Sequence, residues 1–211
     1  MDWVAISSLA TAGGTLALAV TTYLSVRSAN QAARTAERSL LAGLRPLIVE
    51  SLESDPIQRV NFVDERGIVT PGGGAAVQVT DGRIYVVLSL RNVGPGIGVL
   101  YGGRLYAERR GGIREAIDLD AFRMLSRDIY IPPGKIGFWQ LAYRDNHDAD
   151  YGPMLRAIEG GEFMADVLYG DYEGGQRMVS RYAVLRDDDG EWRLSTIRHL
   201  QIDRDDPRLH D

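Results

Sequence analysis

Between Asp2 and Arg27 the chain carries no charged side chain; WVAISSLATAGGTLALAVTTYLSV, residues 3–26, is one neutral run. A helix rises 1.5 Å per residue, so about 20 apolar residues cover the ~30 Å hydrocarbon core of a bilayer. The length of the run predicts a transmembrane helix over residues 1–26. A cleaved signal peptide would want a basic segment ahead of a shorter apolar stretch, and Met1-Asp2-Trp3 supplies neither. Ser7, Ser8, Thr11, Thr15, Thr21 and Thr22 temper the hydrophobicity, which leaves a buried or peripheral helix as the alternative. Ala10 and Gly14 stand four apart, as do Gly13 and Ala17, and Ser8 and Ala12. Small residues at that spacing let helix backbones approach closely, although any alanine-rich helix produces such pairs by chance.

Charge gives the run a direction. Up to Arg45 four arginines (Arg27, Arg34, Arg38, Arg45) stand against Asp2 and Glu37, a net of +2; the whole chain is −5, which leaves −7 for the rest. Basic residues within about 20 positions of a span favour the cytoplasmic side. The expectation is a single-pass protein of the bacterial inner (plasma) membrane, N-terminus out and C-terminal domain cytoplasmic. An acidic domain repels phosphate backbones, so nucleic acid is not an expected partner. Arginine supplies every basic side chain except Lys135, the usage of a GC-rich, bacterial coding sequence. The absence of cysteine excludes disulfides, thiolate metal sites and cysteine nucleophiles.

Residues 27–45 extend the helix as an amphipathic stalk. The segment is rich in alanine, arginine, glutamate and leucine, all good helix formers, and Ala29, Ala33, Ala36, Leu40 and Leu44 recur at threes and fours. That stripe suits either a coiled-coil seam or a face laid on the following domain. Arg45-Pro46 ends it, because the residue before proline avoids the α region.

From Pro46 to Asp211 the pattern is one of strands. PLIVESL, AAVQVT, RIYVVLSLRN, GVLYGGRLY, KIGFWQLAYR, EFMADVLYG, QRMVSRYAVLR and EWRLSTIRHLQI are β-branched or aromatic runs divided by turn residues. Asp81-Gly82 marks a tight hairpin, and Gly111-Gly112 before IREAI marks another. Short helices are expected at Leu119–Leu125 and Gly152–Ile158, and the polar stretch Ser54–Gly74 reads as a loop. The fold class is therefore mainly β: a transmembrane helix and stalk followed by an Ig-like antiparallel β-sandwich with one or two short helices.

Three motifs carry a resemblance. Arg45-Pro46-Leu47-Ile48-Val49 leads into the β region, Leu90-Arg91-Asn92-Val93-Gly94-Pro95-Gly96 closes a strand, and Val167-Leu168-Tyr169-Gly170-Asp171-Tyr172-Glu173-Gly174-Gly175 forms a late hairpin. Their order is similar to that in a group of uncharacterised bacterial membrane-anchored proteins, common in actinobacteria. Ile97-Gly98 replaces the proline-alanine pair often found there. The resemblance implies architecture and membrane location and brings no activity or catalytic residues.

No spacing singles out a catalytic, cofactor-binding or metal-binding residue, and no cofactor is expected. The Gly94, Gly96 and Gly98 turn lacks the lysine and hydroxyl of a P-loop and is followed by a strand; the three glycines are expected to serve positive φ angles and bulges at a sandwich edge. Asn146, Asp148 and Asp150 alternate like the start of a calcium loop, but Tyr151 stands where glycine is needed and Ala157 where a bidentate glutamate is. A solvated turn accounts for them, as a hairpin tip accounts for Asp187-Asp188-Asp189-Gly190. His147, His199 and His210 are widely separated and fit no zinc motif. The expected function is a non-enzymatic, membrane-anchored interaction or regulatory module. Its expected partners are the bilayer and a protein partner or second copy, met through the small-residue helix and stalk. The alternatives are a small metal-dependent hydrolase using Asp148, Asp150 or His147, and an oligomeric membrane effector.

Overall fold

A computed structural model describes residues 3–108 and 117–203, the side chains of residues 3–11 and 42 excepted. The chain divides into two units, Met1–Gly43 and Leu44–Asp211. The first is a single helix, α1, Trp3–Gly43, 41 residues long without interruption. At 1.5 Å per residue it extends about 60 Å. Leu16, Leu18, Val20, Tyr23, Leu24 and Val26 are more than half exposed along it, as is Leu40.

Among the described residues no helix is long and apolar enough to cross a membrane. The expected transmembrane helix is therefore not found among them. The first part of that span, residues 3–11, lies outside the described side chains. From Ala12 the neutral run continues for only 15 residues before Arg27, short of the about 20 that a bilayer requires.

The second unit is built of eleven described strands: β1 Ile48–Glu50, β2 Gln58–Asn61, β3 Gly67–Thr70, β4 Gly74–Thr80, β5 Arg83–Asn92, β6 Gly98–Tyr106, β7 Arg123–Ile131, β8 Ile136–Tyr143, β9 Glu162–Gly170, β10 Arg177–Arg186 and β11 Trp192–Gln201. Among the described residues a second α-helix, α2 Tyr151–Gly160, lies between β8 and β9. Nine strands form one antiparallel sheet whose path runs β8-β5-β4-β11-β10-β9-β6-β7, with β1 beside the end of β5. The sheet curls so that its two halves face each other, which makes the domain sandwich-like. The layers belong to one hydrogen-bonded sheet, not to two separate sheets; Trp192–Ala75 and Arg193–Gly74 pair at the β11–β4 corner, and the Leu194 amide donates to the Gly73 carbonyl beside them.

Strand periodicity builds the core. Ile84, Val86, Leu88 and Leu90 of β5 point inward with Trp139 of β8 and Phe163, Ala165, Val167 and Tyr169 of β9. Tyr151, Met154 and Ile158, spaced at three and four along α2, plug one end of the same core. The Asp81-Gly82 hairpin forms as expected, with both residues at positive φ (52° and 67°), the twist of a type I′ turn.

Two expectations are corrected. The stretch Ser54–Gly74 is not a loop throughout: it contains the β2–β3 hairpin, turned at Glu65 (φ 60°). Its Val60, Phe62 and Ile68 cover Tyr85 and Val87 on the outer face of β5. Leu119–Leu125 is helical only over Leu119–Ala121 and becomes strand β7 from Arg123. The helix expected at Gly152–Ile158 is present as α2. The hairpin expected at Gly111-Gly112 lies outside the described residues, as does His210.

Gly94, Gly96 and Gly98 are not among the residues at positive φ, a further departure from the sequence reading. A side chain on Gly94 would strike the backbone of Arg45-Pro46-Leu47, and one on Gly96 the carbonyl of Leu44. The turn is glycine-rich because the chain leading into β1 passes against it. Asn92 joins the two. Its Oδ1 accepts from the amides of Leu47 (3.2 Å) and Gly94 (2.9 Å). Its Nδ2 donates to the carbonyls of Gly96 (2.6 Å) and Ile131 (2.8 Å).

Candidate functional site

The sheet does not close. β7 and β8 follow one another through Pro132-Pro133-Gly134, yet each bonds only to its other neighbour, β7 to β6 and β8 to β5. The cause is visible in the register. Between two paired positions β6 advances from Leu100 to Gly102 while β7 runs from Ile129 back to Met124, so residues 125–128 bulge out of the ladder. The seam opens into a cleft of about 580 Å³, walled by Arg123–Arg127 of β7 and by Gln140–Ala142 and Arg144 of and beyond β8. Asn61, Phe62 and Val63, at the turn of the β2–β3 hairpin, form its rim.

Arginines and their partners order the cleft. Arg123 donates to Asp148 Oδ2 at 2.6 Å and lies 3.6 Å from Asp150. Its guanidinium carbon sits 4.4 Å from the ring centre of Tyr143, a cation–π contact. Burial pushes the Tyr143 hydroxyl up to about 12, which keeps the ring neutral beneath that cation. Burial alone would raise Asp148, but the bonds from Arg123 and the Asp150 amide bring its carboxyl below the ordinary value. Arg144 and Arg83 both approach Asp64, at 3.4 and 3.5 Å. The Tyr85 hydroxyl donates to Asp64 at 2.6 Å and is the main cause of its lowered pKa. Gln140, on the cleft wall, has a buried Oε1 with no hydrogen-bond partner.

The loop that resembles the start of a calcium site is thus a turn leading into α2. Asp145 accepts from the His147 amide (2.9 Å) and Asp148 from the Asp150 amide (3.0 Å), the local bonding of Asx turns. Asp148 and Asp150 are held by Arg123, and His147 is exposed. Among the described residues no group of three or more His, Asp or Glu side chains could hold a metal ion. Asp187 likewise organises a hairpin tip, accepting from the amides of Asp189 and Glu191 and from Arg193.

A second polar cluster lies in the interior. Ser180 Oγ is 2.7 Å from His199 Nδ1, 3.0 Å from Tyr169 Oη and 3.0 Å from the Ile48 carbonyl. Tyr182 donates to the same carbonyl at 2.8 Å. Glu50 accepts from Thr196 beside them. A serine beside a histidine has the composition of a nucleophile and base, but Ser180 is fully buried. The cluster instead ties β1, through Ile48, to β9, β10 and β11. On the opposite face of β9 and β10, Asp166 and Arg181 form a buried bidentate pair, both bonds 2.8 Å.

No family model and no curated protein matches this chain. Among solved structures it is similar to a selenomethionine-labelled β-glucosidase from Kluyveromyces marxianus, over 64% of this chain at 14% identity and a TM-score of 0.22. The glucose complex of a β-glucosidase from the same organism is similar over 63% at 13% identity, with a TM-score of 0.19. The chain spans 16% of the length of either. Likeness at that level carries no inference about activity.

The sequence reading missed the cleft because it missed β7. Ile129-Tyr130-Ile131 ahead of Pro132-Pro133 was the available signal, a β-branched and aromatic end to a strand before a turn.

Proposed function

We propose that the protein is a membrane-anchored interaction module, an Ig-like sandwich held on the cytoplasmic side of a bacterial membrane by its N-terminal helix. The observation that carries this reading is the uninterrupted helix α1, whose Leu16, Leu18, Val20, Tyr23, Leu24 and Val26 stay largely exposed. With residues 3–11 included, its neutral run covers 24 residues, about 36 Å of helix, and four arginines follow it. Apolar side chains in that number require lipid or another helix to cover them. The open seam between β7 and β8 supports a binding role for the domain, since unpaired sheet edges are templates for added strands.

The test is affinity purification of the full-length chain from gently solubilised native membranes, with the copurifying proteins identified and quantified. A stoichiometric companion, or a defined oligomer of this chain, is the expected result. A monomer that brings down nothing in stoichiometric amount contradicts the module.

A further inference from the structure

The walls of the seam select their occupant. Among the described residues, Arg123, Arg127 and Arg144 line the cleft and no carboxylate does, although the chain after residue 45 carries a net −7. Arg123 and Arg144 are engaged by Asp148 and Asp64. Arg127 is exposed and has no ion-pair partner among the described residues. Apolar surface lies between these cations: Val63 is 82% exposed and Met124 63%, with the half-buried Leu125 beside them. Among the described residues both long walls are strands with a single ladder, so one edge of each keeps its backbone N–H and C=O groups without a strand partner there.

Resting on the interaction-module reading above, we propose that the cleft binds an extended acidic segment of a partner protein, added as a strand along the free edge of β8. Main-chain bonds to the edge give such a complex its affinity, and alternate side chains give it selectivity. A strand has a period of two, so a segment alternating acidic and apolar residues presents carboxylates on one face and hydrocarbon on the other. The carboxylates meet Arg127, and the apolar side chains meet Val63, Met124 and Leu125.

The probe is a fluorescein-labelled peptide of about ten alternating Glu and Val residues, about the span of β8, titrated with the purified full-length chain in detergent. Saturable binding is expected, weakened about tenfold or more by Arg127→Glu, which places like charges together. A central proline in the peptide, which removes a ladder donor, or lysine in place of each glutamate, weakens it similarly. Arg193→Glu, at the distant Asp187 hairpin, leaves it unchanged. The chain lacks cysteine, so Ser126→Cys gives an independent readout: the peptide slows its reaction with a maleimide. Equal binding to Arg127→Glu, no saturable binding, or an unprotected Ser126→Cys overturns the cleft assignment. The module reading fails separately. If a native companion copurifies equally with Arg127→Glu, the module stands and docks elsewhere; if none copurifies with the native chain, the module fails whatever the peptide does.

Discussion

Asn92 is bonded at both sides of its amide, and all four partners belong to segments that would otherwise expose unsatisfied backbone groups. Asn92→Ala strands two buried donors and two acceptors. At about 1–3 kcal/mol for each buried polar group left alone, the loss should reach roughly 3 kcal/mol or more, read from urea unfolding of the full-length chain. Gly96→Ala should cost about 1–3 kcal/mol as an overpacked contact, because its methyl meets the Leu44 carbonyl. The Asn-Val-Gly-Pro-Gly motif was conspicuous in the sequence, yet its purpose was not. Local propensity suggests a turn with positive φ, whereas the need for glycine comes from backbone some 50 positions away. His199 is a third case. Burial lowers its pKa below the ordinary 6.5, so its contribution to stability is present above the unfolded value and lost as pH falls through the folded one. Stability should therefore decline as pH drops below about 6.5, and His199→Gln should flatten that part of the profile. An NMR titration placing His199 above 6.5 would contradict the burial argument.

Strand register decides what pairs with what. Asp166 and Arg181 are directly opposite across β9 and β10, and their bond is out of water. Removing one partner leaves a buried charge, so Asp166→Ala should destabilise by about 3–5 kcal/mol. The double change Asp166→Leu with Arg181→Met should cost clearly less than Asp166→Ala alone. Urea midpoints of the three proteins measure this, and a double variant as unstable as the single one would show that the pair does more than neutralise itself. Neither residue stood out in the sequence, because a charge inside a β-branched run reads as the solvent face until both faces of the sheet prove to be covered. The element pattern was legible wherever long alternating runs met strong turn residues, as at Asp81-Gly82 and in the β9–β10–β11 meander. It failed at β2 and β3, four residues each: the polar neighbours in QRVN hide Val60, and GIVT is too short to show an alternation around Ile68. It failed again at β7, where Leu119–Leu125 has helical spacing but Phe122 and Leu125 pack on the β region instead.

At the scale of the whole molecule, a mainly β domain follows a 41-residue helix that bears a neutral run and then four arginines. The run was legible at once, being a matter of composition; the single curled sheet with its open seam was not, since closure depends on a bulge in β7. The orientation is directly testable in a chain without cysteine. Asp188→Cys, at the β10–β11 hairpin tip, should react with a membrane-impermeant maleimide only after cells are broken; labelling of intact cells would reverse the orientation. The most direct measurement of the account is flotation of the full-length protein from a detergent-free lysate on a density gradient after an alkaline wash. The account predicts that the protein rises with the membranes and stays with them through the wash. Protein remaining in the dense, lipid-free fractions would contradict it.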